Sequence, residues 1–144
     1  MTNAPVNNDK ALSIVVFSGD LDKALAAFFI STAAASMGYR VTLFFTFWGL
    51  NALVKGGLEK AGLPVDYKQM EEPMRKKLKE MKYPTPYDML KRMKASGLLK
   101  IYACSPTMEM FGIKKENLIP EVDQIAGASA FLDIASDADV TLLV

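Results

Sequence analysis

The sequence predicts an α/β protein, a doubly wound sandwich built on a five-stranded, mainly parallel sheet. Three observations carry this. The apolar, β-branched runs at residues 12–17 and 41–47 have the composition of strands covered on both faces. Stretches with apolar residues at helical spacing separate the strands, and such alternation builds a parallel sheet with helices on both faces. The chain has 144 residues, 51% of them hydrophobic, enough for the core of one domain.

The elements follow in order. Residues 1–10 read as a flexible lead-in and 11–144 as a single domain. The first strand, 12–17, stops at Ser18-Gly19-Asp20. A helix over 21–37 follows, with Asp20 at its N-cap and Gly38 just past its end. A second strand covers 41–47, and the spacing predicts a helix over 49–60 that stops at Gly62-Leu63-Pro64. Residues 66–84 form a basic, Met-rich insert without strand character: a short helix, a mobile loop, or both. Pro84 and Pro86 precede a helix over 87–96, closed by Gly97. The third strand is 98–103. A short helix follows, with Ser105 as N-cap and Pro106 at the first helical position. A turn near 114–118, a weak strand near 122–125, a helix from 126–129 to about 136 and a last strand at 140–144 complete the pattern.

Composition excludes whole classes of chemistry. The chain has no histidine and one cysteine. An intramolecular disulfide, a CxxC redox pair, a cysteine zinc cage and any imidazole-dependent triad are therefore ruled out. Neither a metal nor a cofactor is expected. No stretch approaches the roughly 18 apolar residues that a bilayer span needs, and the first eight residues lack the apolar centre of a signal peptide. A cytoplasmic protein is expected. The net charge is +1, which gives nucleic acid no evident hold. Charge is uneven, however: residues 66–100 hold ten Lys or Arg against five Asp or Glu. That window is either a solvated helical face or an electropositive rim over an anionic ligand. Its Met-rich part could also rest on a membrane surface.

Cys104 is the leading candidate for covalent chemistry. It ends a buried strand and enters a helix, where solvent can reach a thiol and where helix amides favour the thiolate. With no second thiol in the chain, its reaction partner must be another molecule. A small buried hydrophobe is the alternative. Ser18, Gly19 and Asp20 form a strand-to-helix turn that either binds an anion or simply caps the helix. Trp48 and Gly49 lie on the same edge of the sheet, with Trp48 walling a pocket or packing as a core aromatic. Ser105 joins this group as the residue after the thiol.

Three segments together carry a family resemblance. They are Ile14 through Ala24 (IVVFSGDLDKA), Phe44 through Leu50 (FFTFWGL), and Ala103-Cys104 with Met108, Gly112 and Ile113. In this order they resemble the DsrE/DsrF-like family, in its branch of small stand-alone proteins linked to sulfur metabolism. The resemblance covers about residues 11–144. It implies a flavodoxin-like αβα sandwich and a homo-oligomer. It also implies that a cysteine, here Cys104, holds sulfane sulfur as a persulfide or thiosulfonate. The donors would be small sulfur-containing anions, and the acceptors thiol-bearing sulfur-carrier proteins. The expected function is thus a sulfur carrier or sulfurtransferase. The alternatives are a non-enzymatic module for a small anion or nucleotide, or an oligomeric or membrane-surface adaptor, each with an inert Cys104.

Overall fold

The computed structural model describes residues 9–144, so most of the expected lead-in lies outside the described residues. Five strands, β1 (Ala11–Val16), β2 (Arg40–Phe45), β3 (Leu99–Cys104), β4 (Gln124–Ala126) and β5 (Val140–Leu143), form one all-parallel sheet. The order is β4-β3-β2-β1-β5. The chain thus steps outward from β1 to β4 and then returns to the far side of β1, so the reversal lies between β1 and β5. The expected sandwich, with its parallel sheet and helices on both faces, is what the structure has.

Alternation along the strands divides the core in two. Leu12, Ile14 and Val16 of β1, Val41, Leu43 and Phe45 of β2, and Leu99, Ile101 and Ala103 of β3 share one buried cluster. Helices α1 (Leu21–Ser36) and α4 (Pro86–Ala95) close this face and pack on each other. In α1, Leu21, Ala24, Leu25 and Phe28 recur at helical spacing and are buried. Gly38, with φ of 83°, ends α1 where the sequence placed its stop. The residues between them, Val15, Phe44, Tyr102 and Cys104, face the other side. There the eight-residue helix α6 (Ala128–Ala135) is the cover, with Phe131 buried on Phe44.

The connection from β2 to β3 departs from the expected single helix over 49–60. A 3-10 segment runs over Phe47–Leu53, and a one-turn helix, α2 (Gly57–Lys60), follows. Gly56 breaks the path because its φ of 79° lies in the left-handed region. The basic insert is helical: a 3-10 turn at Val65–Met70 leads into α3 (Glu71–Glu80). Met74 and Leu78 rest partly on the core, and no residue of α3 is buried. Helix α5 (Ser105–Phe111) joins β3 to β4. Its N-cap is Cys104 itself, so Ser105 is the first helical residue and Pro106 the second, one position later than the sequence suggested.

Two polar ties hold the β4 side of the sheet. Lys94 Nζ lies 2.6 Å from Asp123 Oδ2, which also accepts the Ile101 amide at 2.7 Å. Tyr87 of α4 donates its hydroxyl proton to Glu121. That bond, with desolvation behind it, pushes the Tyr87 phenol up to about 12. The folded chain therefore holds this proton more tightly than the unfolded chain, whose tyrosine titrates near ~10. The resulting stability is fully present below pH ~10 and disappears as pH rises through about 12. A tyrosinate absorbance titration should show a late component that Tyr87→Phe removes. A Tyr87→Phe curve that keeps the late component and loses an ordinary one would refute the Glu121 tie.

Candidate functional site

The carboxyl ends of β1, β2 and β3 carry the site residues, and close backbone approach holds the first two loops together. Gly49 donates its amide to Phe17 O at 2.9 Å, and Thr46 donates to Val16 O at 3.1 Å. A Cβ on Gly49 would lie 2.1 Å from Val16 O, so only glycine fits. At Gly19 an added Cβ would come within 2.9 Å of Trp48 O. The two loops are thus interlocked through residues without side chains.

The third loop is tied to the second by Thr107, which is 1% exposed. Its Oγ1 accepts the Phe47 amide at 3.1 Å and lies 3.2 Å from Thr46 Oγ1. Phe47 adopts φ of 47°, an uncommon conformation for a residue with a Cβ. The Thr107 bond helps to fix it there. The result is an aromatic rim: Phe17 packs against Phe47 with centroids 5.3 Å apart, and Trp48 stacks on Phe111 of α5 at 5.1 Å. Trp48 remains 56% exposed, as a wall rather than a core residue.

Cys104 lies on the α6 side of the sheet. It is 7% exposed and packs with Phe44 and Phe131. The sequence placed the thiol within reach of solvent; strand parity instead turns it under α6. As N-cap it makes no side-chain bond to the α5 amides. Ser105 follows at the start of α5, its Oγ 4.0 Å from where a Cβ of Gly127 would stand.

Ser18, Gly19 and Asp20 face elsewhere. Ser18 Oγ and Lys23 Nζ both bond Asp20 Oδ2 at 3.2 Å, so the aspartate holds its own turn rather than capping α1 with its side chain. The loop lines a cavity of about 480 Å³ between the 3-10 segment, α2 and the insert, and Cys104 is not among the lining residues. The structure therefore stacks Trp48 on α5, whose start Cys104 and Ser105 form, keeps Gly49 against the end of β1, and turns Ser18–Asp20 toward a separate recess. Among the described residues, no group of three or more carboxylates and thiols is placed to hold a metal ion. Sequence reading missed Thr107, Phe111 and Phe131. Thr107, a β-branched hydroxyl in the first turn after the strand, was the one with a local signal.

A family model described as DsrE/DsrF/DrsH-like matches residues 8–87 and 64–143, together nearly the whole chain. The chain belongs to that family. Within and around it, the uncharacterized protein YrkE of Bacillus subtilis is 32% identical, over 94% of this chain and 97% of its own length. The protein named sulfur carrier protein DsrE2, of Allochromatium vinosum, is 30% identical over 94% and 98%. The solved ychN protein of E. coli superposes with a TM-score of 0.61 at 16% identity, covering 95% of this chain and all of that one. That likeness speaks for the fold shared with this DsrE-like chain.

Substitutions at two positions test the geometry. Thr107→Val removes the acceptor of the half-buried Phe47 amide and should cost about 1–2 kcal/mol in urea unfolding. Thr107→Ser should retain most of the stability, and a larger loss in Thr107→Ser than in Thr107→Val would show that the methyl matters rather than the hydroxyl. Phe131→Ala opens the cover of Cys104 at a cost of about 3 kcal/mol. In folded protein it should speed thiol labelling by an aromatic disulfide reagent; an unchanged rate would mean that α6 does not guard the thiol.

Proposed function

We propose that this protein is a sulfur carrier that holds sulfane sulfur on Cys104 and passes it to an acceptor thiol. The observation that carries the reading is the position of the chain's single thiol. It caps α5 at the end of a central strand, enclosed by Phe44 and Phe131, in a chain 30% identical to a protein named as a sulfur carrier. In the proposed step the Cys104 thiolate attacks the outer sulfur of thiosulfate. An S–S bond forms, and sulfite departs with the electron pair of the broken bond. An acceptor thiolate then attacks the outer sulfur of the persulfide and releases Cys104 as thiolate. With tetrathionate the same attack leaves a thiosulfonate on Cys104 and expels thiosulfate.

Burial suits storage. A persulfide enclosed by Phe44 and Phe131 is shielded from stray thiols, and loading requires movement of the α6 cover. The donors on this reading are small sulfur-containing anions, and the acceptor is a thiol-bearing carrier protein working in the cytoplasm. A homo-oligomer is part of the proposal, supported by the exposed Leu132 of α6 and by Leu143 of β5, 72% exposed at the sheet edge. Sedimentation showing a monomer at all concentrations would remove that part.

One observation favours a second reading, a binding module with an inert cysteine: Cys104 is buried. Mass spectrometry separates the two. Folded protein treated with polysulfide, thiosulfate or tetrathionate should gain sulfur only on Cys104, and an acceptor thiol should remove it. Protein that stays unmodified while still folded would sink the carrier and leave the binding module.

A further inference from the structure

We propose that the cavity beside the Ser18–Asp20 loop binds an organic phosphate of nucleotide size, at a site separate from Cys104. The volume is about 480 Å³, within the roughly 300–1,000 Å³ of small-molecule sites and far more than an inorganic anion needs. Lys55, Lys60 and Lys68 line it, against Asp20 as the one carboxylate among the lining residues. Asp20 is already engaged by Lys23. Lys68 is held by Glu71 at 2.9 Å, whereas Lys55 and Lys60 form no ion pair among the described residues. The cavity is thus a recess with uncompensated positive charge.

Local backbone geometry converges these cations. Gly56 turns the chain with φ of 79°, and Gly57 follows so tightly that a Cβ there would lie 1.7 Å from Asn51 O. The two glycines set Lys55 and Lys60, five positions apart, on one cavity. On the far side, Gly62 leaves room for Lys68, whose Nζ would stand 2.6 Å from an added Cβ. The loop amides are not the anion cradle: Asp20 N donates to Ser18 Oγ at 3.1 Å and Leu21 N to Gly62 O at 2.8 Å. Recognition must come from the ammonium groups, which bind phosphate as point charges. Leu58 and Leu63 supply an apolar wall and Asn51 an amide, which suits an organic body attached to the phosphate. A sulfur donor held here would not meet Cys104, because strand alternation places the thiol on the opposite face of the sheet.

Calorimetry on the full chain tests this, with ADP, AMP and ribose 5-phosphate as probes and inorganic phosphate and thiosulfate beside them. At least one organic phosphate should bind more tightly than either inorganic anion. Lys55→Gln should weaken that binding about tenfold, the equivalent of about 1.4 kcal/mol, and Lys55→Gln with Lys60→Gln should weaken it further. Lys114→Gln, outside the cavity, should leave it unchanged. Cys104→Ala should also retain full affinity, which separates this site from the carrier chemistry. Failure of all three organic probes to bind would overturn the proposal. So would equal affinity for inorganic phosphate, or indifference to the Lys55 and Lys60 substitutions.

Discussion

The approach of Gly49 to the Val16 carbonyl is the constraint on which the rest of the site depends. A strand end and the turn after the next strand share a space that no side chain can enter. Because the backbones touch, the Gly49 and Thr46 amides find acceptors at the end of β1, and the loops need no ligand to be ordered. Trp48, between Thr46 and Gly49 on one side and packed on Gly19 on the other, has little freedom left in its main chain. Its ring is thereby delivered to Phe111, and the rim above β3 follows from a contact made above β1.

The same clamp explains why Phe47 tolerates a left-handed conformation. Strain of this kind costs about 1–3 kcal/mol and persists only when surroundings over-determine it. Here the β1 contacts act from one side and the Thr107 hydroxyl from the other. Thr107 belongs to the first turn of α5, so the strain couples the turn after β2 to the helix that Cys104 caps. A buried hydroxyl with two satisfied contacts is stiffer than the apolar contacts around it, because moving it leaves the Phe47 amide unpaired.

Much of the architecture was legible because each signal was local. The β-branched runs marked β1, β2 and β5, and Gly38 marked the end of α1. Even the three-residue β4 left a trace near Val122–Ile125, though it paired two positions farther on. The helix expected over 49–60 failed for a reason visible only afterwards: apolar spacing was continuous, but Gly56-Gly57 had to turn so that Gly57 could sit against Asn51. For the candidate site, Cys104 was found at its strand end, and Trp48 on its edge. Which face the thiol occupies was not legible. Parity along β3 fixes that Cys104 and Tyr102 share a side, but the identity of the helix covering that side depends on the strand order, which no local signal encodes.

That strand order has a functional consequence. Steps from β1 to β4 in one direction lay their right-handed crossovers on one face, and the single return to β5 leaves α6 as the helix on the other. The face with most of the connections acquires the insert, its lysines and the 480 Å³ recess. The thinly covered face acquires the thiol, under a helix of eight residues of which only Phe131 is buried. Trp48 bridges the two: its backbone lies against Gly19, which lines the recess, and its ring lies on the helix that Cys104 caps. The turn that Gly49 and Thr107 hold therefore touches both the loop that lines the recess and the helix that Cys104 caps.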